Sequence, residues 1–115
     1  MSEDRLSQEC YLSFHNKYPQ YRGLLFHVPN GGARDAREGA KFKSMGVFRG
    51  VCDYILLWNK KIYLIELKTE EGRQSKDQLY WQNLVEKHGF EYSIIKDSTQ
   101  FIKYIESIIL EADGE

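Results

Sequence analysis

The chain contains no apolar run of about 18 residues, so nothing in it reads as a membrane-spanning helix. Its first residues, Met1-Ser2-Glu3-Asp4-Arg5, lack the apolar stretch of a secretory leader, which points to a cytoplasmic protein. Cysteine is scarce. Cys10 and Cys52 stand far apart with no CxxC spacing, so neither a zinc site nor a disulfide framework is indicated, and both read as reduced, buried thiols. Proline is confined to Pro19 and Pro29, and no linker, repeat or low-complexity tract interrupts the sequence. An excess of charge is missing too: 16 Lys and Arg face 17 Asp and Glu, a net charge of -1, so composition makes no case for nucleic acid. What remains is an ordinary globular mixture, 42% apolar and 29% charged, and the 115 residues suit one domain over 1–115.

Periodicity divides the chain into alternating elements. Leu6, Cys10 and Phe14 recur four apart and predict a helix over 3–17. Leu24 to Val28 is a short strand-type run, closed by the turn signal Pro29-Asn30-Gly31-Gly32. Residues 34–44 read as a charged helix. Val51 to Trp58 and Lys61 to Lys68 are rich in β-branched and aromatic residues and predict a hairpin about Asn59-Lys60. Ser75 and Gln78 match a capping box, ahead of a helix whose apolar face is Leu79, Trp81, Leu84 and Val85. Glu91 to Ile95 is a strand, and residues 98–111 form a last helix with Phe101, Ile102, Ile105, Ile108 and Ile109 as its stripe. The order α-β-α-β-β-α-β-α predicts an α/β fold, a mixed central sheet flanked by helices.

The hairpin brings charged residues together. Continuing the pairing from Trp58 and Lys61 sets Asp53 opposite Glu66, and Lys68 shares that face. Two carboxylates so close repel unless a divalent cation neutralises them, and Mg²⁺ takes one or two carboxylates with water and phosphate oxygens. The Leu67 carbonyl is a further oxygen at that place. Lys68 would orient water and steady charge on a phosphate, which is the donor set for metal-assisted phosphodiester hydrolysis. The bland alternative is a solvated surface pair, but the strand is apolar on both faces before Glu66, where an acid and a base are costly without a task. Glu9 flanks the first helix's stripe and reads equally as an extra metal ligand or a boundary carboxylate. Gln78 could bond a water or phosphate, or serve only its cap.

Residues 22–49 hold six cations, Arg22, Arg34, Arg37, Lys41, Lys43 and Arg49, against two acids, Asp35 and Glu38. Arg34, Arg37 and Lys41 are spaced to lie on one helix face that could follow a phosphate backbone, and Asn30-Gly31-Gly32 lacks bulk where backbone amides could approach a phosphate. A solvated helix and a simple turn are the plain alternatives. His27 reads as a partly buried strand residue within reach of substrate.

Asp53 with Glu66-Leu67-Lys68 resembles the PD-(D/E)xK signature of the restriction-endonuclease-like superfamily. Glu9, then Gly46 and Gly50 ahead of Val51-Cys52-Asp53-Tyr54-Ile55, and Ile65-Glu66-Leu67-Lys68 followed by Gly72, Ser75, Gln78 and Trp81, resemble the VRR-NUC (virus-type replication-repair nuclease) family from Glu9 to about Gly89. Many members have Pro where this chain has Cys52; that change removes no ligand, and Cys52 is expected to point away from Asp53. The resemblance implies a restriction-endonuclease-like core, with Asp53 and Glu66 as metal ligands, Lys68 as catalytic lysine, Glu9 as accessory acid and Gln78 as the helix glutamine. It implies Mg²⁺ or Mn²⁺ as cofactor and a stand-alone phage or bacterial protein. Such members resemble Holliday-junction resolvases, which act as homodimers on branched DNA; Tyr18, Tyr21 and Phe48 are candidate dimer surface. The expected activity is a metal-dependent, structure-selective DNA endonuclease. The rival readings are a non-catalytic DNA-binding module with a decayed nuclease fold and a hydrolase of small phosphate compounds.

Overall fold

In the computed structural model, residues 1–29 and 36–111 are described. Helix α1 (Glu3–Lys17) begins where Ser2 offers its hydroxyl to the Arg5 amide at 3.1 Å, and it buries Leu6, Cys10 and Phe14. A 3-10 turn (Pro19–Tyr21) leads into strand β1 (Leu25–His27). Helix α2 (Ala36–Ser44) precedes strands β2 (Tyr54–Trp58) and β3 (Lys61–Leu67). Helix α3 (Lys76–Lys87), strand β4 (Glu91–Ile95) and helix α4 (Ser98–Ile109) complete the order, which is the alternation that the sequence predicts. The capping box at α3 is present in full, with Ser75 and Gln78 exchanging side-chain-to-backbone bonds.

The four strands lie in the order β1-β2-β3-β4. The β2–β3 hairpin pairs Trp58 with Lys61 through to Tyr54 with Ile65, and Asn59 and Lys60 adopt φ of 49° and 67° to make the two-residue turn. β1 is antiparallel to β2, whereas β4 is parallel to β3 and is reached by the α3 crossover.

Helices α1 and α4 cover one face of the sheet. There Leu6, Cys10 and Phe14 meet Leu25, Tyr54, Leu56, Ile65 and Leu67 from the strands, and Phe101, Ile105, Ile108 and Ile109 from α4. Burying each such side chain contributes about 1.5–3 kcal/mol before chain entropy is counted, so this is the main core. Helix α3 covers the other face with a smaller cluster of Cys52, Leu64 and Tyr92, joined by the half-buried Trp81 and Val85.

Three expectations change. The first hairpin strand begins at Tyr54 rather than Val51, for a reason that belongs to the site. In α3, Trp81 and Val85 pack inward but Leu79 and Leu84 are exposed, because a helix over a small cluster buries only a narrow stripe. Tyr18 and Tyr21 are not open aromatic surface. Both pack against the main core; Tyr18 bonds to Glu106, and Tyr21 meets Trp58 edge-on at 4.9 Å. Phe48 is exposed and lies near Tyr80.

Candidate active site

At its C-terminal end β3 runs inward, and a charged pair goes with it. Glu66 is fully buried at 0% exposure and Lys68 almost so at 6%. The Lys68 ammonium lies 3.6 Å from Glu66 Oε2. Tyr92, next door on the parallel strand β4, donates its hydroxyl to Glu66 Oε1. Glu66 Oε2 is buried with no hydrogen-bond partner among the described residues. Burial pushes the Glu66 carboxyl up from its ordinary range; Tyr92 and Lys68 oppose that rise, Asp53 adds to it, and the nearby Gln74 amide opposes it. Oε2 thus has the Lys68 charge at ion-pair distance but no hydrogen bond, a costly state for a buried carboxylate oxygen.

Asp53 stands beside it, but not by simple pairing. Its amide donates to the Ile65 carbonyl at 3.0 Å, yet Ile65 is already the ladder partner of Tyr54. Two successive residues thus meet one, a β-bulge that ends the ladder at Tyr54. The expected direct Asp53–Glu66 pair does not form. Instead Asp53 Oδ2 accepts the Leu67 amide at 2.7 Å, capping the end of β3. Burial also raises the Asp53 carboxyl; the Leu67 amide opposes this, Glu3 adds to it, and Lys68 and His27 oppose it. Cys52, one residue earlier, packs with Leu64 and Tyr92 under α3.

The β1 edge locks this end in place. Val28 donates its amide to the Asp53 carbonyl at 2.7 Å, and His27 Nδ1 lies 2.9 Å from the same oxygen. His27 is exposed rather than partly buried, with its ring 5.1 Å from that of Tyr54.

Two neighbours differ from those expected. Glu9 pairs with Arg5 at 3.5 Å on α1, whereas Glu3, two turns earlier, reaches Lys68 at 3.6 Å. The cause is helical: at about 100° per residue, Glu3, Leu6 and Cys10 line up at i, i+3 and i+7, while Glu9 turns well off that stripe. That spacing is the signal by which Glu3 was open to sequence reading. Gln78 holds the α3 cap, its Oε1 accepting the Ser75 amide at 2.8 Å. The glutamine that bears on both Glu66 and Tyr92 is Gln74, in the loop ahead of α3, which also donates to Gln82 at 2.8 Å. No helical period marks a loop residue, so no sequence pattern singles it out.

Arg37 and Lys41 are exposed on α2. Asn30, Gly31, Gly32 and Arg34 lie outside the described residues. Among the described residues, no three His, Cys, Asp or Glu side chains are grouped to hold a metal ion. The oxygen donors at the end of β3 are two carboxylates and the Leu67 carbonyl. Such hard donors, with a Glu66 oxygen that carries no hydrogen bond, fit a small divalent cation that keeps several waters. Among the described residues, no helix is long and apolar enough to cross a membrane.

No protein-family model matches the sequence. No curated protein matches it either. A solved structure described as "VRR_NUC domain protein" superposes on 96% of this chain and 89% of its own, with a TM-score of 0.70 at 23% identity. The mixed four-stranded sheet between two helical layers is therefore an α/β fold shared with that solved VRR_NUC domain protein.

Proposed function

We propose that this chain is one VRR-NUC-like nuclease domain over residues 1–115, a metal-dependent endodeoxyribonuclease acting on branched DNA as a homodimer. One observation carries the reading: the fully buried Glu66 has one oxygen without a hydrogen bond, 3.6 Å from the Lys68 ammonium, and feels the charge of Asp53 at the same end of the sheet. The Glu and Lys stand where the resemblance to the PD-(D/E)xK signature expects its acid and base.

Asp53, Glu66 and the Leu67 carbonyl would hold Mg²⁺ or Mn²⁺. When bound, the cation would supply Lewis-acid polarisation of the phosphate and would make water more acidic. Lys68, held between Glu3 and Glu66, positions the attacking water and offsets the negative charge that grows on the phosphate oxygens. The water oxygen bonds to phosphorus as one P–O ester bond breaks, and the departing alkoxide takes up a proton. Tyr92 keeps Glu66 oriented, and the Leu67 amide does the same for Asp53. Gln78 stays with its cap in this scheme, and Glu3 takes the outer position given to Glu9 by sequence.

Incubating the chain with linear, flapped and four-way DNA, with Mg²⁺ or with EDTA, tests the reading. Cleavage should need the cation and favour branched DNA. Lys68→Ala and Asp53→Ala should each lower the rate at least about a hundredfold while DNA affinity changes little. Full activity in either variant, or cleavage in EDTA, overturns the site. DNA binding without cleavage by the unaltered chain would mark a binding module instead.

A further inference from the structure

A cavity of about 610 Å³ opens between α1 and β1, at the edge of the sheet. Its lining includes Gln8, Tyr11 and Leu12 from α1, Arg22 from the turn before β1, and His27 and Tyr54 from the strands. The Tyr11 and Tyr54 rings lie nearly parallel, 18° apart in plane with centroids 6.2 Å apart, and His27 tilts over Tyr54 at 5.1 Å. Leu12 is exposed at the mouth at 54%.

Three links tie residues of the cavity wall to residues of the proposed site. Tyr54 follows Asp53 in the chain. His27 Nδ1 lies 2.9 Å from the Asp53 carbonyl. One turn after Glu3, which reaches Lys68, Ser7 on the same helix bonds the Tyr54 hydroxyl at 2.7 Å. A nucleotide whose phosphate sat at Lys68 would thus have this aromatic hollow beside it. Tyr54 is itself buried at 3%, so it backs the wall, and the rings open to the cavity are the half-buried Tyr11 and the exposed His27. The chemistry matches a nucleobase: these two rings to stack on, an amide at Gln8 for an edge, and the Arg22 cation for a flanking phosphate. The volume lies within the ordinary range for a small-ligand cavity, about 300–1,000 Å³. A paired base inside a duplex cannot enter such a hollow; an unpaired one can.

We propose that this cavity takes one unpaired nucleobase next to the scissile phosphate, so that selection of branched DNA over duplex is made by α1 and β1. The inference rests on the nuclease reading above for its choice of substrate. The aromatic hollow and its link to Asp53 are the observations behind it.

The experiment has two arms. In the first, single-stranded oligonucleotides carrying 2-aminopurine at successive positions are bound to the chain in EDTA. Quenching at one position is expected with the unaltered protein, and its loss in Tyr11→Leu, which keeps apolar bulk but removes the ring. In the second, branched substrates with an abasic residue at each position around the cut are digested with Mg²⁺. One abasic position should lower kcat/KM about tenfold for the unaltered chain and have little effect in Tyr11→Leu. Uniform quenching, or equal losses for Tyr11→Leu on intact and abasic DNA, overturns the pocket while leaving the nuclease reading intact. A change of oligomeric state in Tyr11→Leu would assign the hollow to a second copy of this chain and also overturn it. If nothing is cleaved at all, the nuclease reading fails, and the first arm still decides whether a base stacks here.

Discussion

Glu66 sets the terms at the residue scale. It is buried in full, held by a hydrogen bond from Tyr92 on one oxygen, while the other lacks a hydrogen bond and lies 3.6 Å from the Lys68 ammonium. Tyr92 stacks edge-on against Trp81, so Tyr92→Phe keeps the packing and removes only the hydroxyl. Glu66 would then lose its one hydrogen bond from a tyrosine in a desolvated place. The variant should be less stable by about 1–3 kcal/mol in EDTA, read as a lower denaturant midpoint. Saturating Mg²⁺ should restore part of the loss, because a ligand that binds only the folded state adds stability by mass action. An unchanged midpoint in EDTA would show that the hydroxyl does not support Glu66. The two thiols belong to the same scale: burial pushes both Cys10 and Cys52 up to about 12, so they remain protonated and inert near neutral pH, as expected of packing residues.

At the scale of elements, the site depends on how three segments meet. The bulge at Asp53 ends the β2–β3 ladder at Tyr54, and the Asp53 carboxylate accepts the Leu67 amide. The loop before β2 passes close under the first turn of α3 at Gly50. There φ is +84°, and an added Cβ would lie 2.3 Å from the Asp77 carbonyl oxygen. Neither the backbone conformation nor the space admits a side chain. Gly50→Ala should therefore destabilise the protein by about 2 kcal/mol or more, through left-handed strain together with displacement of α3. A thermal unfolding curve checks this, and unchanged melting would refute the close approach. The sequence marks Gly50 as a glycine before a strand. It does not reveal that a helix N-terminus, distant in sequence, lies against it.

Across the whole molecule, the near-neutral total hides a separation of charge. Acids gather at the end of the sheet in Asp53, Glu66 and Glu3, while α2 carries Arg37 and Lys41 on an exposed surface. If DNA follows α2, each lost cation should weaken binding similarly for all sequences and flatten the dependence of log Kd on log salt by about 1. Arg37→Ala with Lys41→Ala should thus reduce that slope by about 2, as measured by fluorescence anisotropy across a salt series. An unchanged slope would place the backbone elsewhere. Of the three aromatics expected at a dimer surface, Phe48 is exposed, near the exposed Tyr80, whereas Tyr18 and Tyr21 pack against the core.

Much of this was legible along the chain, because it depends on near neighbours. The 3.6-residue stripe of α1, the Ser75–Gln78 box, the Asn59-Lys60 turn and the hairpin register that follows from it are all local, and local geometry repeats with a fixed period. The acid and lysine of Glu66-Leu67-Lys68 were legible for the same reason: they interrupt a strand that is otherwise apolar. The helical period also favours Glu3 over Glu9, but what brings α1 against Lys68, shifts Asp53 out of direct pairing with Glu66, and brings Gln74 and Tyr92 to the buried carboxylate is not periodic. Those contacts arise where α1, β1, the loop before α3 and the parallel strand β4 converge on one end of a sheet. That convergence depends on packing between segments far apart in sequence, so it was decided by the tertiary structure alone.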